Sequence, residues 1–165
     1  MASTISASTM TVTISESITL NGKNQGATNT VSFSNIKEVY QRIVRCIDDS
    51  DCTIATFRTA THTADGAIDL ENVKYIRVTN LDSSNSVNVN LQIDVTESGS
   101  GASAANETAT ILLAAGESFV MGTPHDSIAA YDADASVQTT LHDLESILID
   151  PSSNEVKLEV IAASS

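Results

Sequence analysis

From Val87 to Val95 every second residue is aliphatic: Val87, Val89, Leu91, Ile93 and Val95 alternate with Asn88, Asn90, Gln92 and Asp94. Successive side chains on a strand point to opposite faces of a sheet. The alternation therefore predicts a strand with one apolar and one wet face, as in antiparallel sheets packed on one side. Weaker versions of the pattern recur through most of the chain, and no catalytic motif accompanies them.

The core must be assembled from a restricted set of side chains. Hydrophobic residues make up 41% of the 165, but aromatics only 4%, and Trp is absent. Val, Ile, Leu and Ala must therefore fill the interior. Abundant Ser, Thr and Asn suit strands and Asx-type turns better than long surface helices.

The strand readings run in order along the chain. Thr11 to Leu20 and Ala27 to Ile36 flank the turn chemistry of Asn21-Gly22, and read as a β-hairpin. Residues 35–39 read as a turn or helical turn, then Val39 to Ile47, Thr53 to Thr59 and Val73 to Leu81 as strands. Thr108 to Leu113 and Glu117 to Gly122 read as a tight pair around Ala114-Ala115-Gly116, with a Ser/Gly connector at 98–103 before them. Asp126 to Tyr131 reads as a helical turn or loop, and Leu141 to Ile149 and Glu155 to Ala162 as closing strands. About eight to ten short strands at such spacing predict an all-β fold, an antiparallel two-sheet β-sandwich of jelly-roll-like topology. The length corresponds to one such domain over residues 11–165, preceded by a flexible polar arm at 1–10.

Charge narrows the partners. With 21 acids against 8 bases, the net charge of −13 repels nucleic-acid phosphates and anionic membrane surfaces. No segment approaches the ~20 apolar residues of a membrane helix. The N-terminus carries no basic and apolar signal-peptide pattern, so reduced thiols are expected at Cys46 and Cys52, although a disulfide across their short intervening segment fits geometrically.

Candidate chemistry is sparse. His62, His125 and His142 share no metal-ligand spacing. Asp48, Asp49 and Asp51 offer hard oxygen ligands of the kind Ca²⁺ takes, but lack the glycine and distal glutamate of an EF-hand, and read as solvated turn acids. Ser118 lacks the flanks of a nucleophile elbow. Arg42 and Arg77, in strand-like segments of an acidic chain, read as structural partners of carboxylates. Paired acids suit glycoside hydrolysis, but aromatic sugar platforms are scarce. The residues thus point to no enzyme, catalytic residue, metal or cofactor.

Four stretches, in order, resemble small virion structural proteins of tailed bacteriophages, especially marine ones. They are Ile14 to Gly22, Asn35 to Ile43, Lys74 to Asp82 and Ala115 to Met121, spanning roughly residues 11–122. The resemblance implies a β-sandwich that assembles on a virion, and it brings no active-site residues. The expected function is a capsid decoration (cement) protein on the outer head surface, assembled in the host cytoplasm. Its partners would be the major capsid protein or other virion proteins and further copies of itself. A neck, tail or fibre component, or a carbohydrate- or cell-surface-binding module, is the alternative.

Overall fold

The computed structural model describes residues 5–47, 50–95, 105–130, 137–152 and 154–165. The chain divides into two compact units after Glu38.

The first unit is a long hairpin. Strand β1 (Ser8–Ser15) pairs antiparallel with β4 (Thr28–Ile36), and the two-residue strands β2 (Thr19–Leu20) and β3 (Lys23–Asn24) form its tip. Asn21 and Gly22 connect β2 to β3 at φ of 50° and 76°. A two-residue turn with both φ positive matches the right-handed twist of paired strands, and Asn-Gly is the pair that adopts it most readily. At Gly26 a Cβ would lie 2.0 Å from the Glu16 carbonyl oxygen, so only glycine fits where the two arms pass. A register shift between Ser8 and Met10 accompanies Asn35 in the left-handed region, φ 62°. β1 thus begins inside the stretch 1–10 assigned to an arm, of which residues 1–4 lie outside the described residues.

The second unit is the sandwich. Its strands are β5 (Glu38–Cys46), β6 (Cys52–Arg58), β7 (Ile68–Asp69), β8 (Val73–Asn80) and β9 (Val87–Val95), then β10 (Ala105–Leu113), β11 (Ser118–Met121), β12 (Asp143–Asp150) and β13 (Val156–Ser164). They form a five-stranded sheet ordered β10-β9-β12-β6-β7 and a four-stranded sheet ordered β11-β8-β13-β5. All these pairings are antiparallel in the registers described, except the short parallel contact of β6 with β7. Setting β7 aside, successive strands alternate between sheets except for β9 and β10. This interleaving is the strand order of a jelly roll.

The alternation in the sequence is realised in the core. Val87, Val89, Leu91 and Ile93 are buried, while Asn88, Asn90 and Gln92 on the other face are half-buried. Opposite them, β8 and β13 contribute Ile76, Val78, Leu158 and Val160, all fully buried. Each such side chain adds roughly 1.5–3 kcal/mol when withdrawn from water. Aliphatic packing carries the core, with Phe57 (1% exposed) its one fully buried aromatic among the described residues.

Two local expectations are corrected, and one pair of alternatives is resolved. Residues 108–113 and 117–122 are not a hydrogen-bonded pair: β10 joins β9 and β11 joins β8, so the turn at Ala114–Gly116 carries the chain between sheets. Residues 35–39 form no helical turn; β4 runs into β5 with only Lys37 between them. The segment from Asp126 forms a loop held by an isolated bridge between Ile128 and His142, and Tyr131 lies outside the described residues. The connector at 98–103 lies outside them too.

Candidate functional site

The hairpin presents two chemically distinct faces. Register places Met10, Val12 and Ile14 beside Phe33, Val31 and Asn29, and Thr11, Thr13 and Ser15 beside Ser32, Thr30 and Thr28. The second set forms a hydroxyl face, with Oγ–Oγ contacts of 3.1 Å at Thr13–Thr30 and Ser15–Thr28. The first set is an apolar stripe. Ile14 and Val31 on it are 50% and 43% exposed, and Ile18 and Leu20 near the tip are exposed as well. A two-stranded ribbon is marginal in water by itself, and exposed aliphatic stripes of this kind mark interaction surfaces.

Charge is divided as unequally as hydrophobicity. Residues 1–38 contain two acids, Glu16 and Glu38, and two bases, Lys23 and Lys37, so the whole −13 lies in residues 39–165. The outward side of edge strand β5 is also apolar in part, with Val39 and Ile43 exposed. Beside them run ion pairs: Arg45 with Glu155, and Arg77 with Glu159, which also accepts from Gln41. Arg77 thus has the carboxylate partner expected of a strand arginine. Arg42 is exposed on β5.

The histidines do not converge. His62 lies in the 3-10 turn Thr61–Thr63, and the His142 backbone bridges Ile128. Only His125 meets acids. Its Nδ1 lies 2.8 Å from Asp143 Oδ1, which also accepts the Asp126 amide at 2.8 Å, and its Nε2 lies 3.5 Å from Asp126 Oδ2. The hydrogen bond to Asp143 holds the His125 pKa above its ordinary value, against a smaller opposing effect of desolvation. These three residues form the metal-capable group among the described residues. Asp143 faces Nδ1 and Asp126 lies near Nε2, so the two carboxylates flank different ring nitrogens. That suits orienting an imidazole better than enclosing an ion. Spacing in the sequence gave no hint of this contact, because it depends on a loop folding back onto the start of β12.

Of the acidic cluster, Asp48 and Asp49 lie outside the described residues. Asp51 lines a shallow depression of about 330 Å³ with Asn88, Asn90, Gln92, Thr110 and Asp150, on the outward side of the five-stranded sheet. Its lining has no aromatic residue, so a sugar would find no stacking platform there. Ser118 pairs with Thr79, Oγ to Oγ at 2.8 Å, with no histidine at its hydroxyl. Cys46 and Cys52 are free thiols. No helix among the described residues is long and apolar enough to cross a membrane.

No protein-family model and no curated protein matches the chain. Among solved structures it is similar to a chain described under "Bacillus endospore appendages form a novel family of disulfide-linked pili". That match is 10% identical, covers 76% of this chain and 88% of the other, and has a TM-score of 0.34. A likeness at that level transfers neither topology nor role.

Proposed function

We propose that this chain is a non-enzymatic structural subunit of a tailed-phage particle, a decoration protein on the outer head surface that joins its neighbours through the hairpin of residues 8–36. The observation that carries this reading is the hairpin itself, a ribbon of zero net charge with an exposed aliphatic stripe, attached to a strongly acidic sandwich. Such a ribbon suits a subunit that coheres with its neighbours, because burying Ile14, Ile18, Leu20 and Val31 in a contact removes apolar surface from water. The acidic body is suited to an outward position, away from packaged nucleic acid. The jelly-roll order is one that capsid domains use, as do lectins, so topology supports the reading only as analogy.

Quantitative mass spectrometry of purified particles, with a cryo-microscopy map of the same preparation, tests it. Decoration predicts a copy number commensurate with the major capsid protein and density spread over the whole head. A few copies at one vertex would make the protein a neck, tail or fibre part. Absence from particles would sink the virion reading altogether. Val31→Glu, which puts a charge into the stripe, should abolish attachment while leaving the sandwich folded.

A further inference from the structure

We infer that Cys46 and Cys52 form a redox-closable dithiol, whose oxidation to an intrachain disulfide ties the two sheets of the sandwich together at its β5 edge.

Cys46 is the last residue of β5, in the four-stranded sheet, and Cys52 is the first of β6, in the five-stranded sheet. Cys46 has the inward phase of the buried Val44, and Cys52 pairs across the sheet with the buried Ile149 of β12, so the two side chains lie on the inner faces of facing sheets. Cys46 is 1% exposed within the core, and Cys52 packs against the same cluster while remaining half-buried. A buried cysteine alone serves as a small apolar side chain. Two from opposite sheets, packed on one core cluster and close in the chain, with one partly open to solvent, are placed to be joined by a disulfide.

The chemistry follows from the difference in exposure. Cys52, as thiolate, attacks one sulfur of a small-molecule disulfide of the glutathione class and expels the first thiolate. Cys46 loses its proton to solvent and attacks the Cys52 sulfur, and the second thiolate leaves. The protein loses two electrons, the small disulfide gains them, and the two released protons match the two thiolates. Burial, and secondarily the Cys52 thiol, push the Cys46 pKa up to about 12, with Arg42 opposing weakly. Closure consumes the Cys46 thiolate, so it should accelerate as pH rises through the neutral and mildly alkaline range. The tie matters because β5 is an edge strand, held in its sheet by β13 alone, and the hairpin precedes it in the chain, joined through Lys37.

The test uses the full reduced chain, incubated with glutathione disulfide and followed by intact mass, alkylation and thermal unfolding. Expected is a monomer two hydrogens lighter, resistant to alkylation, reversed by dithiothreitol, and melting roughly 5–10 °C higher. Cys46→Ser should stop at a glutathione adduct on Cys52. Three results would each overturn the inference: a stable adduct on the wild-type chain, disulfide-linked dimers as the main product, or a folded chain that stays reduced while the guanidinium-unfolded chain oxidises. A higher melting temperature that persists in the Cys46→Ser variant would overturn the tie between sheets as its cause.

Discussion

Asn80 is the place where one substitution should cost the sandwich most for its size. The residue is fully buried at the end of β8. Its Nδ2 donates to the carbonyls of Asn85 at 2.8 Å, Ala114 at 3.2 Å and Leu113 at 3.3 Å, and its Oδ1 accepts the Asp82 amide at 3.0 Å. The Asn80 backbone adds two bonds, donating to Glu117 and accepting from Gly116. One side chain thus joins the turn between β8 and β9 to the turn between β10 and β11. Asn80→Ala leaves the Leu113 carbonyl without this donor in a buried setting, and weakens the half-buried bonds to Asn85, Ala114 and Asp82. An orphaned buried group costs about 1–3 kcal/mol and each lost ordinary bond about 0.5–1.5, which together give about 3–4 kcal/mol. The melting temperature should fall by roughly 10 °C. Asn80→Asp is the sharper probe: nearly isosteric, it turns an oxygen toward three carbonyl oxygens and should destabilise more than Ala at neutral pH. Urea unfolding with Asn88→Ala as the exposed-face control measures all three, the control staying within ~0.5 kcal/mol. The reasoning fails if Asn80→Ala lies within ~1 kcal/mol of the parent, or if Asn80→Asp is no worse than Ala.

Three further outcomes follow from the geometry. His125, hydrogen-bonded to Asp143, should titrate above an ordinary histidine in an NMR pH series. Because the folded pKa is the raised one, the pair's stabilisation is complete below the unfolded value of 6.5 and is lost as pH rises through the folded one; Asp143→Asn should lower the midpoint and remove that dependence. In the core, Ile147→Ala should cost about 2–5 kcal/mol in denaturant unfolding. Val31→Ala on the hairpin should leave the sandwich's stability within ~0.5 kcal/mol.

Strand existence was legible because period-two alternation is a local consequence of the pleat. Val87 to Ile93 announced their face, and Asn21-Gly22 announced its turn. Partnership was not legible in the same way. Ala114-Ala115-Gly116 has the chemistry of a hairpin turn, yet it joins strands of different sheets, because burial of both inner faces decides where β11 goes. That β4 and β5 are separated by Lys37 alone was equally hidden, since both flanking segments read as strand and nothing in the residues fixes where one ends. At the candidate surfaces, the hairpin's sequence showed alternation but not that its aliphatic side stays open. The approach of His125 to Asp143 depends on a loop, for which residue spacing carries no signal, whereas the short spacing of Cys46 and Cys52 already allowed them to face each other.

The strand order also constrains how the sandwich is made. β13 lies between β8 and β5, and β12 between β9 and β6, so the strand that completes the interior of each sheet is synthesised after the strands it joins. A nascent chain carrying β5 through β11 holds four strands with open edges and no partner yet available for them. Its early folding is confined to near-neighbour pairs such as β1 with β4 and β9 with β10. The sandwich therefore closes after translation has reached residue 164, in a late step dominated by long-range contacts, and until then the chain is most exposed to aggregation.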